Sequence, residues 1–373
     1  MGFFYMKNIL KIVFVIIGTL IGAGFASGKE IYTFFYSYGE KGIFGIIISS
    51  LLIGIIIYNS LRIIKEKEID NYKEFLDEIT PKGKNKNFKK VIQKIINLFI
   101  LISFYIMISG FGAYCNQQFS INPFIGSTIL AIISWLTIRK DIKGVVLLNE
   151  IIVPILIIFL IVIGILNITQ IDILNLSDYI IQTNHSNYIL SGILYSSYNA
   201  ILLIPVLITL KNYLTEKKDI SKISIIVTII TIILSIIIFT ILIKVDVNIE
   251  NLEMPVAYVI SNIYPYLKII YAIILLSSIL TTSISLGNSF IENVAKEKKK
   301  KTKILNFICI SSVLVSGIGF SNLVNNLYPI FGVLGLIQIF AIGIKGRSLK
   351  SLLEGILGTD LKKSKKVHIK SPY

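Results

Sequence analysis

Between Ile9 and Tyr36 the chain is apolar enough to enter a bilayer, yet Gly18, Gly22, Gly24 and Gly28 interrupt the run and Lys29 and Glu30 follow at once. Glycines at this density let the backbone leave helical geometry. Unwound backbone at membrane depth persists only where it is buried in protein or lines a solvated cavity. The run is therefore unsuited to be a lone anchor facing lipid. It needs a bundle around it, and it predicts a binding site inside that bundle.

The rest of the chain supplies the bundle. About ten stretches reach the ~17–25 apolar residues that cross a bilayer: 9–37, 42–61, 91–118, 123–138, 145–167, 188–210, 223–243, 266–290, 304–320 and 328–344. With 54% hydrophobic and 16% charged residues over 373 positions, an ordinary soluble domain is excluded. The net charge of +16 raises the question of nucleic acid, and the placement of the basic residues answers it. With a cytoplasmic amino terminus, 33 of the 37 Lys and Arg fall in or beside inside segments, leaving Lys29, Lys41, Lys244 and Lys268. That is the positive-inside pattern. The expected partners are a lipid bilayer and a small-molecule substrate, with no nucleic acid, in a multi-pass plasma-membrane protein whose termini are both cytoplasmic. Ala23 to Ser27 resembles a signal-cleavage site, but the helical pattern continues through Ile31 to Tyr38 and argues against one.

The spans divide at the long outside loop. The expected organisation is a first five-helix repeat over 1–167, an extracellular loop over 168–187, a second five-helix repeat over 188–344 and a basic cytoplasmic tail over 345–373. Five helices per half means that a repeated unit is inserted upside down, as in many secondary transporters. The first helix of each half is then expected to be interrupted. In the second half this is Tyr188 to Leu210, whose centre reads Tyr195-Ser196-Ser197-Tyr198-Asn199-Ala200, with Pro205 beyond. The acidic loops 168–187 and 245–264 are long enough to form lids, and Tyr72 to Ile79 is expected as a short surface helix.

A break in the first span leaves amides without intrahelical partners, and those at the start of its outer half attract anionic groups. The first choice is Gly22, Ala23, Gly24 and Phe25, with Ala26, Ser27 and Gly28 as a competing register. The plainer alternative is close helix packing through Gly18-x-x-x-Gly22 and Gly24-x-x-x-Gly28. Further candidates for the substrate are Ser27, Tyr105 and Ser109 in the first and third spans, and Tyr195, Ser196, Tyr198 and Asn199 in the sixth. Glu30, an ionisable group within a span, is read as a proton or gating residue, or as an acid complementing the dipole of the outer half-helix. In the eighth span Ser278, Thr281 and Thr282 share one helix face and suit a small hard cation; the alternative is that such hydroxyls bond back to their own helix.

No organic cofactor is expected. Cys115, Cys309, His185 and His368 have no metal-site spacing, and no catalytic constellation is present, so an enzyme is not expected.

The stretch Ile17-Gly18-Thr19-Leu20-Ile21-Gly22-Ala23-Gly24-Phe25-Ala26-Ser27-Gly28-Lys29-Glu30-Ile31 resembles the opening motif of the YkvI family of Gram-positive membrane proteins. The likeness continues through Tyr38 to Gly42, Ser109 to Gly112, Asn149-Glu150 to Pro154 and Tyr195 to Asn199. That family looks like a branch of the amino acid, polyamine and organocation transporter superfamily. The resemblance implies an all-α membrane fold of the LeuT type, with five plus five inverted helices and helices one and six broken. It also implies substrate amides at Gly22, Ala23 and Gly24, and sodium carbonyls at Gly18 and Ile21 opposite Ser278, Thr281 and Thr282. Thr19 stands where sodium symporters commonly carry asparagine, and the sixth span lacks the glycine pair of many relatives. The expected function is symport of an amino acid or similar carboxylate-bearing solute by alternating access, driven by sodium or by protons. The alternative is a sensor subunit of the same fold, as in spore-germinant receptors, that binds its ligand without moving it.

Overall fold

In hydrocarbon a spanning segment must satisfy its own backbone, and the chain answers with helices throughout. The computed structural model describes residues 2–80, 86–140, 144–168, 186–214, 217–245, 247–295 and 297–345. The first span is built from three helices, α1 (Gly2–Leu20), α2 (Ala23–Ala26) and α3 (Lys29–Phe34). The rest of the first half is α4 (Lys41–Glu66), α5 (Tyr72–Ile79), α6 (Lys86–Phe119), α7 (Pro123–Arg139) and α8 (Gly144–Ile168). The second half is α9 (Tyr188–Thr209), α10 (Lys217–Leu242), α11 (Pro255–Ile263), α12 (Lys268–Val294), α13 (Lys298–Val315) and α14 (Phe320–Lys345).

Seven of these helices are long and apolar enough to cross a membrane, and α1, α7 and α8 carry shorter apolar segments. With α1 to α3 taken as one span, the ten expected crossings are accounted for. The ends move by several residues. The ninth and tenth spans meet at Gly319 (φ 91°), so α14 starts eight residues before its expected beginning. Large apolar side chains such as Phe307, Leu314 and Phe340 point outward, as a lipid-facing surface requires.

The bundle closes around the first span. The α1 segment packs against α8, α10 and α9, while α9 lies between α4 and α14, and α6 pairs with α12 and α7. Side chains bond across the helices where lipid offers no partner: Asn167 Nδ2 donates to the Thr240 carbonyl at 2.7 Å, joining α8 to α10. Helix α5 is more than a surface element. Asn71 caps it by accepting from the Glu74 amide, and Phe75, Leu76 and Ile79 are buried beneath it. The outer loop 245–264 folds as a short 3-10 turn (Ile249–Asn251) followed by α11. Loop 168–187 and the tail fall almost wholly outside the described residues, as does His185.

The expected break in the sixth span is absent. Helix α9 runs unbroken through Tyr195 to Ala200, with Pro205 inside it. The cause is local. Ser196 donates to the carbonyls of Gly192 and Ile193, Ser197 to that of Ile193, and Asn199 Nδ2 to that of Tyr195. Polar residues that bond back to the preceding turn satisfy themselves without unwinding it.

Candidate functional site

The first span breaks twice. The helical ladder of α1 reaches the Ile21 amide, which donates to the Ile17 carbonyl, and resumes with Ala26 donating to Gly22. Among the described residues no backbone acceptor is found for the amides of Gly22, Ala23, Gly24 and Phe25. The first-choice register is therefore the one that forms. The second break is at Gly28, whose φ of 84° is open to glycine and strained for other residues. A β-carbon there would also lie 2.7 Å from Val256 of α11.

The Gly28 turn sends Lys29 and Glu30 in opposite directions. Lys29 is fully buried, and its ammonium donates to the carbonyls of Ile249, Glu250 and Leu252 at 3.4, 3.1 and 2.9 Å. Those carbonyls belong to the outer loop, so Lys29 latches that loop to the first span. Other bonds hold the same loop: Val256 N–H to the Ser27 carbonyl (2.9 Å), Gln117 of α6 to both backbone groups of Met254 (2.9 Å each), and the Ser321 amide of α14 to Glu253 (2.6 Å). The loop is thereby held over the break by bonds from the first span, α6 and α14.

Glu30 turns inward. Its carboxyl accepts from the Tyr198 hydroxyl of α9, interacts with the Phe25 amide, and lies so close over Gly24 that a side chain there would collide with it. This modifies the reading of the amides. Gly22, Ala23, Gly24 and Phe25 form the expected turn, but the anion against it is the protein's own. Glu30 does stand in the first turn of α3, as the plainer alternative has it, but its carboxyl faces Tyr198 and the Phe25 amide and makes no pair with Lys29.

Beside Glu30 is a small cavity of about 20 Å³, bordered by Thr19, Gly22, Ser103, Asn199, Thr282 and Tyr328. A space of this size admits about one water-sized particle. Tyr198 is sandwiched over it, with Tyr328 stacked on it at 4.7 Å between centroids and Phe34 at 5.5 Å. The Ser103 hydroxyl is buried without a hydrogen-bond partner among the described residues. Three larger clefts lie elsewhere: an apolar groove of about 360 Å³ between α5, α6 and α14, one of about 370 Å³ between α7 and α13, and a polar cleft of about 750 Å³ at the ends of α7, α12 and α13; none touches the break.

Helix α12 follows the unwound segment with three side chains. Tyr271 donates to the Ala26 carbonyl at 2.9 Å, Ser278 to that of Ile21 at 3.1 Å, and Thr282 borders the cavity. Ser278 and Ile21 are thus brought together as expected. Thr281 is not part of this face: its hydroxyl returns to the Ser278 carbonyl within its own helix. Gly18 packs against Val153 of α8. Ser27 is buried within the turn and donates to the Gly24 carbonyl.

The third span meets the break through Met107, which faces Gly22, and Gly110, which faces Ala23. Ser109 is buried nearby, but Tyr105 points away, its hydroxyl 2.6 Å from that of Ser311 on α13. Tyr105 leaves the candidate site. Of the sixth-span candidates, Tyr195, Tyr198 and Asn199 face it, while Ser196 is spent on its own helix. Sequence reasoning did not single out Ser103, Met107, Tyr271 and Tyr328. Only Tyr328 carried a signal, as a hydroxyl inside an apolar run beside Pro329.

A helix broken at the centre of a ten-span bundle, with an outer loop held over it, defines a LeuT-fold membrane protein. The crystal structure of a mutant of the Eremococcus coleocola manganese transporter matches with a TM-score of 0.67 at 14% identity, covering 95% of this chain and 84% of that one. MhsT in complex with L-phenylalanine matches with a TM-score of 0.59 at 17% identity, covering 93% and 98%. In sequence the chain is a relative of the uncharacterized membrane protein YkvI of Bacillus subtilis, 28% identical over 338 residues that cover 89% of this chain and 94% of that protein. No protein-family model matches it.

Proposed function

We propose that the protein is a secondary transporter that carries a small polar solute of amino-acid size across the plasma membrane by alternating access. The observation that carries this reading is the double break of the first span, which leaves unpaired amides and a buried carboxyl at a cavity in mid-bundle, directly beneath a latched lid. A static anchor or scaffold has no use for such backbone. The matched crystal structures support this reading, one being of a manganese transporter and the other of a protein in complex with L-phenylalanine. The distribution of Lys and Arg supports cytoplasmic termini.

Coupling is assigned to sodium first and protons second. The Ile21 carbonyl, Ser278 and Thr282 offer oxygens to a hard cation; without one, Ser278 bonds Ile21 directly. The test is uptake into liposomes holding this chain alone, with imposed sodium or proton gradients. Gradient-driven accumulation is expected, and Thr282→Ala should weaken its sodium dependence without lowering expression. Ligand binding with no flux under either gradient would reject the transporter in favour of a sensor.

A further inference from the structure

We propose that the solute presents an organic ammonium group to the centre of this site, and that Glu30 supplies the carboxylate which a bound amino acid would otherwise bring. The inference rests on the transporter reading for its word solute, and on independent observations for its chemistry.

The first is occupancy. The amides of an unwound turn are the natural seat for a carboxylate, and here Glu30 covers Gly24 and engages Phe25 from within the chain. A solute carboxylate would have to displace a resident one. The second is charge. Among the described residues Glu30 meets only the Tyr198 hydroxyl and the Phe25 amide, while Lys29 is committed to three carbonyls of the lid. The acidic group thus faces the cavity without a basic partner. A buried charge of this kind calls for an opposite one. The third is an orphaned hydroxyl: Ser103 borders the cavity and is buried with no hydrogen-bond partner among the described residues. An ammonium has three donors and no acceptor. It is matched by the Glu30 carboxylate, the Ser103 hydroxyl oxygen and the amide oxygen of Asn199. The space of about 20 Å³ fits such a head group, and a longer body would enter as the lid and the Phe34–Tyr198–Tyr328 stack part.

The test is thermal unfolding of the purified full chain with matched compounds on one skeleton: isoamylamine, leucine and 4-methylpentanoate; phenethylamine, phenylalanine and 3-phenylpropionate; putrescine and ornithine; and sodium chloride alone. Ligands that bind the folded state raise Tm. At least one amine is expected to bind about tenfold or more tightly than its amino acid, as a charge-assisted hydrogen bond warrants, and the plain carboxylates should not bind. Glu30→Gln should weaken the amine at least about tenfold, and Ser103→Ala by a smaller factor that remains readable if the Glu30 variant does not fold. The proposal is overturned if no amine binds, if an amino acid binds as well as its amine, if amine binding survives Glu30→Gln, or if sodium alone accounts for the whole Glu30-dependent shift. An amine that binds through Glu30 yet is not carried into liposomes would sink the transporter and keep this assignment. Uptake of amino acids that is indifferent to Glu30→Gln would do the reverse.

Discussion

The first span and α9 occupy equivalent places at the start of the two halves, and both hold the most polar stretch of their half, yet one is broken twice and the other is continuous. The difference lies in what each polar stretch is made of. Gly22, Gly24 and Gly28 have no side chain with which to satisfy the backbone, so the turn is completed from outside by Glu30, Ser278 and Tyr271. Ser196, Ser197 and Asn199 complete their own helix from within. Polarity at mid-membrane is thus insufficient to open a helix. What opens it is the absence of local partners together with the presence of distant ones.

Four variants test this contrast. Gly28→Val should have the largest effect, since a left-handed β-branched residue costs ~1–2 kcal/mol and crowding Val256 adds ~1–3 kcal/mol; the yield of monodisperse protein and its Tm should both fall. An unchanged Tm would mean that the second break is dispensable. Lys29→Met comes next, because it strips partners from buried lid carbonyls at ~1–3 kcal/mol for an unsatisfied group. The readout is alkylation by an impermeant thiol reagent of a cysteine placed at Ser27, which is fully buried in the parent. It should react severalfold faster in the Lys29→Met background, and equal rates would show that the other lid bonds suffice.

The third test moves the glycines to the other helix. Ser196→Gly with Ser197→Gly should lower stability by about 1 kcal/mol and speed hydrogen exchange of the neighbouring α9 amides, whereas the Ala pair should change little. If the Gly pair leaves exchange unaltered, packing between α4 and α14 holds α9 straight whatever its composition. The smallest effect is expected at the inner end of α9, where Lys211 pairs with Asp70 at 2.5 Å and Glu68 at 3.4 Å. The hydrogen bond to Asp70 heads the influences that raise the lysine above its usual 10.5. A raised basic group stabilises at neutral pH and loses that contribution as pH climbs through its folded-state value. Lys211→Met should therefore lower Tm slightly at pH 7, with the gap closing under strongly alkaline conditions. A gap that persists there would assign the loss to packing.

Much of this arrangement was legible in the sequence because membrane segments announce themselves by length, glycine clusters by their cost, and topology by lysine. Gly22 to Phe25 as a turn follows from the glycine spacing, whereas Ser278 against Ile21 is what the family resemblance implies. The reversal of Glu30 does not, since it depends on the left-handed turn at Gly28, and a two-residue step in sequence can send a side chain to either side. Ser103 and Tyr328 enter the site through the tilt of α6 and α14, which no local pattern encodes. Tyr105 was misplaced for the same reason: a helix of 34 residues offers many faces, and only packing against α13 chooses among them.

Lys29 and Glu30 are consecutive residues at the head of a six-residue helix hung from Gly28, and one step along a helix turns a side chain by about 100°. One therefore grips the outer door while the other sits in the central seat, and a single peptide bond joins the two jobs. No chain of side chains has to carry a message between them. Any swing of α3 that carries Glu30 out of the centre also pulls on the Lys29 bonds to the outer loop, so a single hinge at Gly28 couples the two.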